Sequence, residues 1–351
     1  MDTEADSLHH YIEKLCLVQI SVPGQDFIID PLAAFDLRPL MLILEKKPLI
    51  FHGADFDMRI LKKSFNFNPV SIFDTMIAAQ LLGYEKMGLA DLAYRHCGVV
   101  LPKGAQKADW SQRPLDGDLL VYAAGDTHYL RFITDKMTEE LEDKGRTAWH
   151  RQACEKLVRT IQSSKEGKAD PDAEWQIKGS KILKGASLTI LREIWYWREA
   201  EARKKDRPPF KVLNADIMID ISVWAAENSS TDVAMMPKAP RPLRNEYRDS
   251  LNEAILKAKA SPPAIFKRRS ESLKPKFWSE ESKLKLGLLK TERDRLGKEL
   301  SLQSSLLATN AILETLALEL PKNIESLESL ACMMPWQIEV AGPSFLKIIG
   351  D

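Results

Sequence analysis

Cysteine, long apolar runs and an excess of either charge are all scarce in this chain. The four cysteines, Cys16, Cys97, Cys154 and Cys332, are scattered without a C-x-x-C pair, which argues against a zinc site or a disulfide framework. They read as buried, reduced thiols of a reducing cytosol. No apolar run approaches the roughly 20 residues needed to cross a bilayer. The opening MDTEADS has neither the basic nor the apolar region of a secretory signal. The expectation is a cytoplasmic protein with no membrane partner. Fifty basic residues balance fifty acidic ones, so the total charge points to no polyanion. The distribution says more, because basic residues gather late, in "KAPRPLR", "FKRRSESLKPK" and "KLKLGLLK".

What the chain does have is length and core material. Its 351 residues predict two or three domains, and a hydrophobic fraction of 44% is ordinary for globular cores. The first part has an α/β texture. "LCLVQISV" and "FIID" read as strands joined by a Pro-Gly turn, a hairpin signature. A helix in "AFDLRPLMLILEKK", a buried strand in "PLIFHG" and a helix from Asp55 to Ser64 follow. "IFDTMIAAQLLGY" reads as a short strand running into a helix capped by Asp74 or Thr75, with a further helix in "LADLAYRHCGV". "DKMTEELEDKGRTAWHRQACEKLVRTIQ" reads as helical for most of its length. The polar "SSKEGKADPDAE" then has the composition of a linker. Two helical blocks follow, separated by "SPPAIFKRRSESLKPK". The expected organisation is an α/β domain over 1–162, a linker over 163–174 and helical units over 175–260 and 261–351.

Carboxylates recur in three places. Asp2 and Glu4 flank Thr3, and in a strand residues i and i+2 emerge on one face. Two like charges held that close are costly unless a cation sits between them. "FHGADFDMRIL" puts Asp55 and Asp57 in the first turn of a helix, a placement that the helix dipole alone would also favour. In "VYAAGDTHYL", Tyr122 and Asp126 lie one helical turn apart, presenting a phenol and a carboxylate to the same small volume. An all-oxygen set of this kind suits Mg²⁺ or Mn²⁺. Two such ions about 4 Å apart can clamp the attacking and leaving oxygens of a phosphodiester, with a phenol orienting the water.

The elements "DTEADSLHHYIEKLCLVQIS", "FHGADFDMRIL", "FDTMIAAQLLG", "KADWSQRPL" and "YAAGDTHYL" occur in an order and spacing that resemble ribonuclease D, in the tyrosine-bearing (DEDDy) branch of the DEDD exonucleases. The resemblance implies a ribonuclease H-like 3′-to-5′ exonuclease domain, an α/β fold with a mixed sheet flanked by helices. It makes Asp2, Glu4, Asp57 and Asp126 the catalytic acids and the ligands of two divalent cations, Mg²⁺ or Mn²⁺. Tyr122 is the water-orienting phenol. Asp57 is preferred to Asp55 because the family's acid lies five residues after the histidine, here His52. Thr3 and His52 join the expected substrate-binding residues, together with Lys103, Lys107 and Arg113 around "DW" as phosphate contacts.

"LTILREIWYWREAEARKKDRPPFKVLNADIMIDIS" resembles the helicase-and-RNase-D C-terminal (HRDC) domain, and the C-terminal block resembles a second, diverged copy. The two all-α units complete the expected architecture. Arg203, Lys204, Lys205 and Arg207 are the expected RNA-backbone contacts of the first copy, while Trp195, Tyr196 and Trp197 read as core. In the second copy the family's Gly-Trp-Arg step reads Pro335-Trp336-Gln337, without its basic residue. In the family an apolar stretch precedes the first acidic motif. Here Met1 stands directly before Asp2, so the natural chain is expected to start upstream.

The implied activity is hydrolysis of the terminal phosphodiester at a single-stranded RNA 3′ end, releasing 5′-mononucleotides, with transfer-RNA precursors as the family's expected substrates. No small-molecule cofactor is implied, and a monomer is expected. Two other readings compete. A DNA-directed 3′-to-5′ exonuclease shares the acidic set, although the HRDC-like tail and the absence of polymerase or helicase motifs oppose it. A metal-free RNA-binding protein would use the helical units alone.

Overall fold

The computed structural model describes residues 1–102, 104–164, 173–266 and 278–350. Lys103, residues 165–172 of the expected linker and the basic run at 267–276 lie outside the described residues. Three strands, β1 (Asp2–Ala5), β2 (Leu15–Val22) and β3 (Gln25–Ile29), form a sheet in that order. β2 and β3 pair antiparallel with Val22 opposite Gln25, so the hairpin turns on Pro23 and Gly24. Gly24 takes φ +83°, a left-handed conformation that glycine enters without a Cβ penalty.

Helix α1 (Arg38–Leu44) starts with a proline in its first turn, where the missing N–H costs nothing. β4 (Pro48–Phe51) and β5 (Ser71–Asp74) pair in parallel, and α2 (Asp55–Phe65) makes the crossover between them. A hydrogen bond from the Met1 nitrogen to the Ile50 carbonyl (2.7 Å) ties the β1 edge to β4. The described strands thus form two sheets, β1-β2-β3 and the parallel pair β4-β5, rather than the single mixed sheet expected.

The remaining helices of this region are α3 (Thr75–Leu82), α4 (Leu89–Cys97), α5 (Gly117–His128), α6 (Leu130–Asp143) and α7 (Thr147–Ser163). The stretch that reads as nearly continuous helix is interrupted by Gly145 at φ +65°, and α6 and α7 are separate. Helices α8 (Ala186–Lys204), α9 (Pro209–Val212), α10 (Ala215–Glu227), α11 (Arg241–Arg244) and α12 (Arg248–Ala260) follow. The last block holds α13 (Glu280–Glu299), α14 (Ser304–Leu307), α15 (Asn310–Glu319), α16 (Ile324–Ser329) and α17 (Pro335–Gly350). Among the described residues no helix is long and apolar enough to cross a membrane.

The chain clusters into two compact units. One holds Met1–Glu4, Leu15–Lys165 and Leu273–Asp351; the other holds Ala5–Lys14 and Glu166–Ser272. In the second unit α8 packs on α10 and α12 around Leu191, Ile194, Met218, Ile221, Leu251 and Ile255. Trp195 and Trp197 pack against this core, whereas Tyr196, between them, is 41% exposed.

The C-terminal block, expected as a unit of its own, shares one core with helices α3, α4 and α6. Leu81, Leu92, Ile133 and Met137 lie in the same buried cluster as Leu289, Leu313, Trp336 and Phe345. Trp149 stacks on Trp336 with ring centroids 4.6 Å apart. The amide of Gln337 donates to the Leu306 carbonyl (2.6 Å) and accepts from the Met334 N–H (2.7 Å), so Pro335-Trp336-Gln337 acts as a packing step.

Arg146 is buried and donates to the Leu81 carbonyl (2.6 Å) and the Leu300 carbonyl (2.7 Å), bridging α3 to the C-terminal block. Arg146→Leu strips both carbonyls of their partner. It is expected to cost about 3 kcal/mol, seen as a lower urea midpoint and faster proteolysis of the C-terminal block.

Candidate active site

Strand alternation in β1 turns Asp2 and Glu4 to one face. Helix α5 packs across β2 and carries Asp126. Ligand oxygens of Asp2, Glu4 and Asp126 all lie within 4.8 Å of one another. Asp57 enters from the first turn of α2, at the end of β4, and is buried. Thr3, on the opposite side of the strand from Asp2 and Glu4, is itself buried and donates its hydroxyl to Asp57 Oδ1 (2.5 Å). Thr3 therefore holds a carboxylate in place. Asp55, the other acid of that turn, is exposed and engaged by Arg59 at 2.8 and 2.9 Å, a helix-surface pair.

Burial and mutual repulsion dominate the electrostatics. Desolvation first, and then the charges of Asp57, Asp126 and Glu4, hold the Asp2 carboxyl well above its usual range. Burial, with Asp126 and Asp57 beside it, pushes Glu4 up to about 8. Asp126 rises to about 7 through burial and the Asp57 charge. Asp57 rises only to about 6, because Thr3 hydrogen bonds offset part of its desolvation. Among the described residues no lysine or arginine forms an ion pair with any of the four. Four crowded carboxylates with no side-chain counter-charge fit a hard divalent cation of the Mg²⁺ or Mn²⁺ class.

Tyr122 lies one turn before Asp126 on α5, and its phenol is held neutral by burial and by the charges of Asp126, Glu4 and Asp2. The Gln106 side chain hydrogen-bonds it. Trp110, fully buried, packs on the Tyr122 ring at 6.1 Å. Gln106 was not singled out by sequence reasoning; it sits in the loop before "DW", where only fold brings it to the phenol.

Arg113 corrects an expectation. Its Nε and Nη2 donate to both Asp30 oxygens (2.7 Å each), Nη2 donates also to the Cys16 carbonyl (3.0 Å), and Nη1 donates to the Trp110 and Gln112 carbonyls (2.8 Å each). All five guanidinium N–H groups are used, leaving none for a phosphate. Arg113 staples the Trp110 loop to β2 and β3 instead. The half-buried His52 pairs through Nδ1 with Thr75 Oγ1 (2.9 Å), and burial lowers its pKa, so it carries no charge for a phosphate at neutral pH. Lys107 is exposed in the short turn Ala105–Lys107, and Lys103 lies outside the described residues.

Within the other unit, Arg203 lies over the Tyr11 ring at 5.3 Å. Lys205 is engaged by Glu246 and by the Tyr247 ring, whereas Lys204 and Arg207 are exposed. Lys204 Nζ lies 4.0 Å from a Glu201 carboxylate oxygen.

Comparison with known proteins gives this geometry a family. A profile described as 3′-5′ exonuclease matches residues 1–142, and the HRDC domain matches twice, at 187–247 and 286–349. Ribonuclease D of Zymomonas mobilis is 32% identical over 276 residues, 77% of this chain and 70% of the relative. The chain belongs to the ribonuclease D family. Ribonuclease D of Xanthomonas oryzae is 29% identical over 322 residues, covering 90% of this chain and 85% of its own. Among solved structures, the catalytic core of RRP6 from Trypanosoma brucei aligns with TM-score 0.57 at 29% identity, covering 74% of this chain and 73% of that one. Escherichia coli RNase D shares the fold over 99% of this chain and 92% of its own, with TM-score 0.67 at 21% identity. As a member of this family the chain is a 3′-to-5′ exoribonuclease, a phosphodiester hydrolase.

The raised carboxyls give a signed pH dependence. Folded carboxyls that hold protons up to about pH 6 to 8, against unfolded values near 4, stabilise the metal-free protein at low pH and lose that contribution as pH rises through those values. In chelator, Asp126→Asn is expected to melt several degrees above the unmodified protein at pH 8 and nearly level with it at pH 5. Thermal scans at both pH values check this, and Mn²⁺ should raise the pH 8 melting temperature of the unmodified protein only.

Proposed function

We propose that this exoribonuclease removes 5′-mononucleotides from single-stranded RNA 3′ ends, transfer-RNA precursors among its substrates, at a two-cation centre held by Asp2, Glu4, Asp57 and Asp126. The observation that carries this reading is the convergence of three carboxylate oxygens within 4.8 Å, with Asp57 buried beside them and no paired basic side chain among the described residues. Bound there, divalent cations supply Lewis acidity to the phosphoryl group and the attacking water. Asp2, Glu4, Asp57 and Asp126 would hold these cations, and Glu4 would also contact the terminal ribose hydroxyl.

Tyr122 supplies orientation. A phenol that stays neutral at working pH does not take the proton of the water; it aligns the water by hydrogen bonding, and Gln106 and Trp110 hold the ring for that task. The water oxygen bonds to phosphorus, the bond to the 3′ oxygen of the preceding nucleotide breaks, and that oxygen leaves with a proton. The released nucleotide keeps the phosphate on its 5′ oxygen. An accessible single-stranded tail would set the choice of RNA.

The test is digestion of 3′-labelled and 5′-labelled single-stranded RNA, and of DNA of identical sequence, with Mg²⁺, Mn²⁺ or chelator. Shortening from the 3′ end is expected, abolished by chelator. Asp126→Asn is expected to lower the rate about a thousandfold or more, and Tyr122→Phe about a hundredfold with RNA binding retained. RNA binding without metal-dependent cleavage would overturn the proposal in favour of a binding protein.

A further inference from the structure

Asp74 ends β5 with a buried carboxylate that accepts four backbone N–H groups. Its Oδ1 accepts from Met76 (2.8 Å) and Ile77 (3.3 Å), the cap of α3. A cap needs no more than that. Yet Oδ1 also accepts from the Gly53 N–H (3.0 Å), and Oδ2 accepts from the Ala54 N–H (2.8 Å). Gly53 and Ala54 form the turn from β4 into α2, and the Ala54 carbonyl accepts the first helical bond, from Met58 (2.9 Å). Asp57 lies three residues beyond Ala54.

The surroundings hold this turn from several sides. Gly53 takes φ +74°, and a Cβ there would stand 3.2 Å from Met76 Cε. The Thr75 hydroxyl donates to the Phe51 carbonyl (3.2 Å) and pairs with His52. Behind Asp74, His150 Nε2 donates to its backbone carbonyl (3.0 Å), and the His150 ring packs on Phe73 at 4.1 Å.

We propose that Asp74 is a positioning residue for the metal centre: by gripping the Gly53 and Ala54 amides it sets where α2 begins, and so where Asp57 stands against Asp2, Glu4 and Asp126. The inference rests on the metal-ligand reading given above. Residue identity is the discriminating feature, because asparagine caps a helix as well as aspartate does. With Oδ1 kept toward Gly53, Met76 and Ile77, an asparagine amide turns N–H groups toward the Ala54 N–H. The cap and the Gly53 bond survive, and the bond to Ala54, the residue at which α2 begins, is lost.

The test compares the full-length protein, Asp74→Asn, Gly53→Ala and Leu313→Ala. Leu313 is buried in the core shared with the C-terminal block, so its truncation lowers stability without touching the turn. Mn²⁺ binding without RNA is followed by the electron paramagnetic resonance of free Mn²⁺, alongside thermal unfolding and the Mn²⁺ dependence and KM of RNA trimming. Asp74→Asn is expected to bind Mn²⁺ about tenfold more weakly and to need correspondingly more Mn²⁺ for half-maximal rate, with the RNA KM unchanged. Gly53→Ala, which alters no charge, is expected to weaken Mn²⁺ binding in the same direction, and it carries the test should Asp74→Asn fail to fold. Leu313→Ala is expected to melt lower with Mn²⁺ binding intact. Unchanged Mn²⁺ affinity in Gly53→Ala or a folded Asp74→Asn, or an equal loss in Leu313→Ala, would overturn the positioning role. No Mn²⁺ binding by the unmodified protein would instead sink the metal-site reading, and this inference with it.

Discussion

Repulsion among four carboxylates is the constraint around which this domain is built. Asp2, Glu4, Asp57 and Asp126 are held where burial and one another's charge disfavour ionisation, so the fold must keep together groups that would otherwise separate. It does so with backbone. Strand alternation sets Asp2 beside Glu4, the β4-to-α2 turn delivers Asp57, and α5 packing on β2 delivers Asp126. The strain becomes affinity once a divalent charge is present, which is the usual logic of an all-carboxylate metal site.

A layer of contacts without chemistry of its own supports that arrangement. Thr3 fixes Asp57 from within β1, and Asp74 grips the turn that precedes it. Arg113 closes the Trp110 loop, and Trp110 in turn packs against Tyr122. Thr3, Asp74 and Arg113 resemble substrate contacts by composition, yet the hydrogen bonds they make are inside the protein.

The two HRDC copies illustrate how one sequence pattern serves two packings. The first builds its own core around α8. The second puts Leu289, Leu313, Trp336 and Phe345 into the core that also buries Leu81 and Met137, and Arg146 bridges the two sets. Gln337 belongs to this packing. Where the family pattern carries a basic residue, a buried neutral amide satisfies two backbone groups in a setting where a charge would be costly.

Much of this was legible from the chain alone. The strand at Leu15–Val22 with its Pro-Gly turn, the α/β order, the HRDC pattern and the four acids are carried by local periodicity and by motifs at fixed spacing, and such signals survive without three-dimensional context. The uses of Arg113, Thr3, Asp74 and Gln106, and the merging of the C-terminal block with the exonuclease core, were not. An arginine beside a tryptophan looks the same in sequence whether its five donors meet phosphate or five oxygens of Cys16, Asp30, Trp110 and Gln112. Sequence determined which carboxylates and which phenol are the candidates for the chemistry, because spacing along one strand or one helix decides which side chains share a face. Tertiary structure alone decided which polar groups remain for substrate, because a donor's availability depends on partners far away in the chain, as Cys16 is from Arg113 and Leu300 from Arg146.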